Sequence, residues 1–350
     1  MRSFGTSGMF GLGLATIVAC SSPAPTPDAP SSPWSRGPVL PVKRLEPGVT
    51  ALGQRLVVLG GFDTDQQAGL DVTTRVDVLD TFEPDPTRAW STLPDAPVKR
   101  HHVQIASIGT TLYLLGGLDA TQDVNNDFPA RGDCYALDTG DAMPVWRPIA
   151  AIPIGFERGS AAVVVTPPRI YLLGGAATST AIASNIYYDA IADVWCAGTM
   201  CGATQLPDLP AARSHPAAMR RVDGTFVVVG GLSGLSSDTQ ASDVYVLPAT
   251  QQSSTGTWSM GMPMPQARGG CAYGVVQGKL ICAGGEAGTS ALSFTQGYDP
   301  VADMWTDFAT MPEPRAGTLG AAIGQKLYVP GGASHIAFDP TDSVFIFSPL

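Results

Sequence analysis

The chain has 350 residues, which at roughly 150 residues per domain suggests two or three domains unless the fold is a repeat. Lys and Arg number 20 against 30 Asp and Glu, and the net charge of −10 argues against non-specific binding to nucleic acid or an anionic membrane surface. Charged residues make up only 14%, yet 44% hydrophobic residues exclude a disordered chain, and 40 Gly with 30 Pro suit many short buried strands joined by tight turns. Met1 to Ala19 reads as an export signal. Arg2 supplies the positive charge, and Met9 to Ala19 is an apolar run of 11 residues, too short for a bilayer that takes about 20.

The segment ending Ile17-Val18-Ala19-Cys20 resembles the lipobox of bacterial lipoproteins. The resemblance implies that Cys20 is lipidated and becomes the mature N-terminus. It also favours the outer membrane, because Ser21 stands where an Asp would suggest inner-membrane retention. An ordinary secretory signal is the alternative. Residues 21–33 (SSPAPTPDAPSSP) form a Pro/Ser/Ala tract that cannot build a core and reads as a semi-extended tether. No later segment has 18 consecutive apolar residues, so no transmembrane helix is expected. The expected organisation is a signal over 1–19, lipidated Cys20 and tether over 20–33, and one folded unit over 34–350.

That unit is organised by a repeat. Apolar runs end in Gly-Gly at Gly60-Gly61, Gly116-Gly117, Gly174-Gly175, Gly230-Gly231, Gly284-Gly285 and Gly331-Gly332. The intervals of 56, 58, 56, 54 and 47 residues mean repeated supersecondary units. Trp34, Trp90, Trp146, Trp195, Trp258 and Trp305 recur in the same register. Each is followed by an arginine: Arg44, Arg100, Arg158, Arg213, Arg268 and Arg315. The arginine precedes the first Gly by 16 residues in five repeats and 17 in the fourth. Each unit reads as four strands, and no stretch after residue 34 keeps a helical apolar period, so the chain is expected to be all-β.

The hydrophobic run, Gly-Gly, Tyr and then Trp (Tyr188 to Trp195, Tyr298 to Trp305) resemble the Kelch repeat over residues 34–350. Other units depart from it by longer turns or by Leu79, Leu137 and Leu247 in place of Tyr. The resemblance implies a six-bladed Kelch-type β-propeller with four antiparallel strands per blade. The last Gly-Gly leaves 18 residues, enough for a loop and one further strand at 343–348 but not for a Trp strand. Residues 34–42 are therefore expected to complete the last blade and close the ring, which removes open sheet edges. A rival reading makes 344–347 the fourth strand and leaves Trp34 without a place.

With Cys20 assigned to lipid, five cysteines remain in an oxidising compartment. Cys196 with Cys201 is a plausible local disulfide. Cys271 and Cys282 flank a hairpin turn at Gln277-Gly278, which places Cys282 opposite Tyr273, so their bridge requires a bulge or a diagonal contact. Cys134 is left over and reads as a small buried hydrophobe on a third strand. No C-x-x-C motif is present.

One arginine per blade, just ahead of the innermost strand, implies a ring near the channel mouth. Such a ring either captures an anionic ligand by bidentate contacts or bonds carbonyls or an Asp of an adjacent blade. Two positions after the arginines stand Glu46, His102, Ser160, His215, Gly270 and Gly317. The resemblance puts this segment on the ligand face. His102 and His215 read as a general acid/base pair, as half a metal site, or as exposed or carbonyl-bonded histidines. His101 is expected to face away, and His335 follows the last Gly-Gly on a loop reaching the same face. Loops after the Gly-Gly pairs carry Asp63, Asp65, Asp119, Asp123, Asp127 and Glu286. Asp123-x-Asn125-x-Asp127 resembles half a calcium loop, but Phe128 stands where Gly is required, so a solvated acidic loop is expected. Copper radical oxidases of the galactose oxidase type use a Kelch propeller, but they have seven blades and need two Tyr and two His. This chain has four histidines in all. No nucleotide or hydrolase signature is present, so no metal and no cofactor is assigned.

Fold alone does not give function. The expectation is a monomeric, non-enzymatic binding module at the bacterial envelope, taking a protein or glycan on the face bearing these segments. The alternative, implied by resemblance to the six-bladed periplasmic sialic-acid mutarotase kind, is a sugar isomerase. There a carboxylate and a His move a proton at an anomeric centre while an Arg holds the substrate carboxylate, and Glu157, Glu286, His102 and His215 are the candidates.

Overall fold

Each apolar run ending in Gly-Gly is the second strand of a four-stranded antiparallel sheet, and there are six such sheets among the described residues. They are seen in a computed structural model that describes residues 32–64, 71–125, 127–235 and 239–349. Cys20, the tether up to residue 31 and Asp65 lie outside the described residues. The innermost strands are Gly48–Leu52, Gln104–Ile108, Ala162–Thr166, Ala217–Arg220, Ala272–Val276 and Ala321–Ile323, which define blades 1 to 6. In blade 1 the order outward is Gly48–Leu52, Arg55–Leu59, Val76–Asp80 and Trp90–Leu93, and the other blades repeat it. Among the described residues no helix is long and apolar enough to cross a membrane.

Blade 6 is built from both ends of the propeller. Trp34–Arg36 pairs antiparallel with Val344–Phe347, in the register Trp34 opposite Phe347 and Arg36 opposite Phe345. The N-terminal strand thus completes the last blade as its outer strand, and the rival reading is excluded.

The core sits between blades. One apolar cluster joins Ala162, Tyr171 and Tyr187 of blade 3 to Phe226, Val228 and Trp258 of blade 4, and the other seams repeat the pattern. The three sequence markers are the polar part of these seams. The indole N–H of Trp90 donates to the Pro38 carbonyl, that of Trp146 to Pro94, that of Trp195 to Ala150 and that of Trp305 to Met262. In each case the acceptor lies four residues after the preceding tryptophan. Trp258 instead reaches Pro207, because the disulfide loop lengthens that segment. The second glycine of each pair donates its N–H to the carbonyl of the arginine that introduces the next blade, as Gly61 does to Arg100 and Gly332 to Arg44. The first glycine has no room for a side chain: a Cβ on Gly60 would lie 2.5 Å from the Arg100 carbonyl oxygen.

Both disulfides are present, Cys196–Cys201 and Cys271–Cys282, with Cα atoms 5.3 and 5.5 Å apart. Cys282 lies opposite Tyr273, so its bridge to Cys271 is the diagonal contact the register demands. Cys134 starts the third strand of blade 2, buried and free, with its thiol pushed up to about 12 by burial.

Candidate functional site

The geometry that sets the site is a backbone collar at one mouth of the channel. The six residues two places after the arginines all sit in the left-handed region, with φ between 50° and 65°. Each joins the next blade through its main chain. Glu46 N–H donates to the Gly317 carbonyl, His102 to Glu46, Ser160 to His102, His215 to Ser160 and Gly270 to His215, at 2.7–3.0 Å. Gly270 and Gly317 adopt this conformation freely, but Glu46, His102, Ser160 and His215 hold it at a cost of about 1 kcal/mol or more each. The collar turns their side chains toward one another.

Above the collar is a cavity of about 490 Å³. Its polar floor is Glu46, His102, His215 and Glu286, and its walls are Phe62, Phe128, Phe338, Leu118, Leu235 and Ile336. Glu286 comes from a short hairpin, Glu286–Ala287 with Ser290–Ala291, that follows the blade 5 Gly-Gly. The rings form a continuous stack. Phe62 lies 5.3 Å from Phe338 and 4.4 Å from His101, His101 lies 4.8 Å from His102, and His102 lies 5.0 Å from His215. Beneath the collar, Ser160 and Gln104 line a small pocket, and a second cavity of about 300 Å³ lies between the inner strands. There Tyr273 of blade 5 reaches across the channel, and its hydroxyl accepts the Val163 N–H of blade 3 at 2.9 Å.

Charge on the floor is suppressed by burial. Burial pushes Glu46 up to about 8, with the neighbouring charge of Glu286 adding to it, and pushes Glu286 up to about 7. Burial also holds His102 well below its ordinary value, helped by His101 and His215, and takes His215 down to about 4 and His101 to about 3. Near neutral pH the floor therefore holds a protonated carboxyl beside neutral imidazoles, the pairing that suits proton transfer. Glu46 Oε2 is 3.4 Å from His102 Nε2 and 3.8 Å from His215 Nε2.

The arginines are elsewhere. Arg44 pairs with Asp77 at 2.6 Å, both fully buried, while Arg100 pairs with Asp133 and Arg213 with Asp243. Arg158 donates to the Gly174 and Ser184 carbonyls, Arg268 to Gln296 and the Cys282 carbonyl, and Arg315 to Ser343 and Glu313. The guanidiniums are turned into the blades they introduce and not toward an adjacent blade as the sequence suggested, and none of the six lines the cavity. Glu157 is also away from the floor, its carboxylate accepting the Gly155 N–H at 2.6 Å. His335 stands at the rim with its side chain 59% exposed and 3.8 Å from Asp339. Asp123 accepts the N–H groups of Asn125 and Asp127 in an exposed loop.

His101 does not face away. Its Nδ1 lies 2.5 Å from His102 Nδ1 and its ring lines the cavity. The aromatic walls were also missed, because Phe62, Phe128 and Phe338 lie at unrelated positions in three different loops. The adjacent His101-His102 pair was the available signal for the ring stack.

No family model matches the chain. It is 28% identical to the Kelch-like protein terF of Aspergillus terreus over 96% of this chain and 72% of that protein. It is 25% identical to Kelch-like protein 38 of Rattus norvegicus over 79% of this chain, but it spans only 42% of that relative's length. A stretch of 72 residues, 21% of the chain, is 40% identical to the influenza virus NS1A-binding protein homolog of Mus musculus. Among solved structures, that of YjhT superposes with a TM-score of 0.70 at 16% identity, covering 88% of this chain and 96% of that one. The six closed blades, the Gly-Gly, Trp and Arg seams and these similarities make the fold a Kelch-type six-bladed β-propeller.

Proposed function

We propose that the chain is a binding propeller of the cell envelope, and that its ligand enters the collar cavity as an uncharged group with an apolar face. One observation carries this reading: four titratable side chains converge on the floor of an apolar-walled cavity, and among the described residues no Lys or Arg lines it. An acidic sugar would meet two carboxyl groups and no cation, since the six arginines are turned into their blades and none lines the cavity. A neutral glycan or an apolar protein side chain would meet hydrogen-bonding groups below and aromatic rings around it. The envelope setting is supported by the segment ending in Cys20 and by two disulfides, which persist in oxidising compartments.

A thermal-shift panel of neutral and acidic monosaccharides and short glycans tests the reading. Neutral members should raise the melting temperature of the wild type and not of Phe62→Ala. Stabilisation by acidic sugars alone would overturn it.

The enzyme alternative keeps one specific support. Glu46 carries a proton at neutral pH beside a neutral His102, so an acid and a base face the same space. On this reading the substrate is a neutral sugar, and one- and two-dimensional exchange NMR of its anomers should show faster interconversion in the presence of the chain.

A further inference from the structure

Hydrogen bonding fixes the tautomers of both floor histidines. His101 Nε2 lies 3.0 Å from the Asp119 carbonyl oxygen, which only accepts, so His101 carries its proton there. Its Nδ1 is then a lone pair, and the 2.5 Å contact requires His102 to donate from its own Nδ1. The lone pair of His102 is left on Nε2, facing Glu46. On the other side, the Ser214 hydroxyl donates to the Gly234 carbonyl. The same oxygen therefore accepts from His215 Nδ1, 3.1 Å away. This leaves the lone pair of His215 on Nε2 as well. That atom is buried without a hydrogen-bond partner, on a side chain only 7% exposed, and is aimed at the same Glu46 oxygen. The Ser160 hydroxyl beside it is also buried and unpartnered.

Two imidazole lone pairs and a carboxyl oxygen thus converge, all within 4.8 Å of one another. Ligand atoms about 2.0–2.1 Å from a tetrahedral zinc lie roughly 3.4 Å apart, the present separation of Glu46 Oε2 from His102 Nε2. The longer separations close with side-chain movements of about 1 Å. Each imidazole is oriented from behind by a partner on its other nitrogen, the arrangement by which proteins fix histidine ligands. The collar supplies the rigid backbone. The single proton of the Glu46 carboxyl can satisfy only one of the two imidazole acceptors, whereas a divalent cation that displaces that proton satisfies both and the carboxylate together.

We infer that Glu46, His102 and His215 form a divalent transition-metal site, taking zinc, with its remaining coordination position open to the cavity and to Glu286. A bound zinc would itself place a cation on the floor, so the binding reading is tested on chelator-treated chain and the zinc assignment by titration without sugar, which keeps their failures distinguishable.

The test uses the full chain without an affinity tag, stripped with chelator and dialysed against zinc alone. One zinc per chain is expected, with a raised melting temperature. His102→Ala and His215→Ala should each weaken zinc binding by at least 100-fold. His101→Phe, which keeps the ring packing but removes the acceptor for His102, should weaken it by roughly tenfold. His335→Ala should leave it unchanged. Wild-type stoichiometry well below one, or unchanged affinity in either ligand variant, would overturn the assignment. X-ray absorption of the zinc-loaded wild type needs no variant to fold: two imidazoles and oxygen support the site, while sulfur or an imidazole-free shell refutes it.

Discussion

The indole N–H of Trp34 donates to the carbonyl of Ala309 at 2.9 Å, across 275 positions of sequence. It is the same bond that the other seams make, here formed between the first described strand and the last repeat. Trp34 is only 6% exposed and packs on Phe347 with ring centroids 5.1 Å apart, while its strand covers Val344–Phe347. Trp34→Ala should remove this anchor, lower stability by about 3–5 kcal/mol and uncover a hydrophobic sheet edge. A fall of several degrees in melting temperature together with new self-association by light scattering is expected. A variant that melts like wild type and stays monodisperse would show that the closing strand contributes little.

Arg44 and Asp77 form an ion pair with no exposure to solvent. Asp77→Asn should therefore leave a buried guanidinium without its counter-charge and destabilise the chain by about 3–5 kcal/mol, whereas Arg44→Met with Asp77→Leu should recover much of that loss. Neither change should alter ligand or zinc affinity in the folded fraction. Denaturant melts give the stability, and titration of the surviving native protein separates a scaffold arginine from a ligand-holding one.

This pair shows where the sequence was readable and where it was not. Gly-Gly, Trp and Arg recur because each makes the same inter-blade contact six times, as Gly61 to Arg100 and Trp90 to Pro38 do. A contact repeated by symmetry leaves a periodic trace, so blade number and ring closure were legible. The same periodicity made the arginines look like a ligand ring, although their side chains face inward. The floor has no period. His102, His215 and Glu46 share a register but differ in type, and their convergence depends on left-handed backbone geometry that no local residue pattern announces. Phe62, Phe128 and Phe338 come together only through the loops above the collar.

Tyr273 links blade 5 to blade 3 by accepting the Val163 N–H. Tyr273→Phe should keep the ring and remove the acceptor, leaving that amide to water or to nothing, at a cost of about 1–3 kcal/mol. The specific readout is hydrogen exchange at Val163, which should lose protection relative to its neighbours Ala162 and Val164. Unchanged protection would place another acceptor at that amide.

The floor should also make the stability of the metal-free chain depend on pH in opposite senses on its two sides. Glu46 is raised from 4.5 to about 8, so its contribution is fully present below pH 4.5 and is lost as pH rises through about 8. His215 is lowered from 6.5 to about 4, so its contribution is present above pH 6.5 and is lost as pH falls through about 4. Glu46→Gln removes only the first effect. In chelator-treated protein, this variant and the wild type should melt together near pH 4.5. Above that, the variant should become progressively more stable than the wild type, by on the order of 1.4 kcal/mol per pH unit until the gain levels off near pH 8. His215→Gln should separate from the wild type only below pH 6.5, gaining stability as the medium becomes more acidic. Parallel melting curves for Glu46→Gln and wild type from pH 5 to 9 would mean that the carboxyl is ionised and solvated at the collar, and the uncharged floor would have to be abandoned.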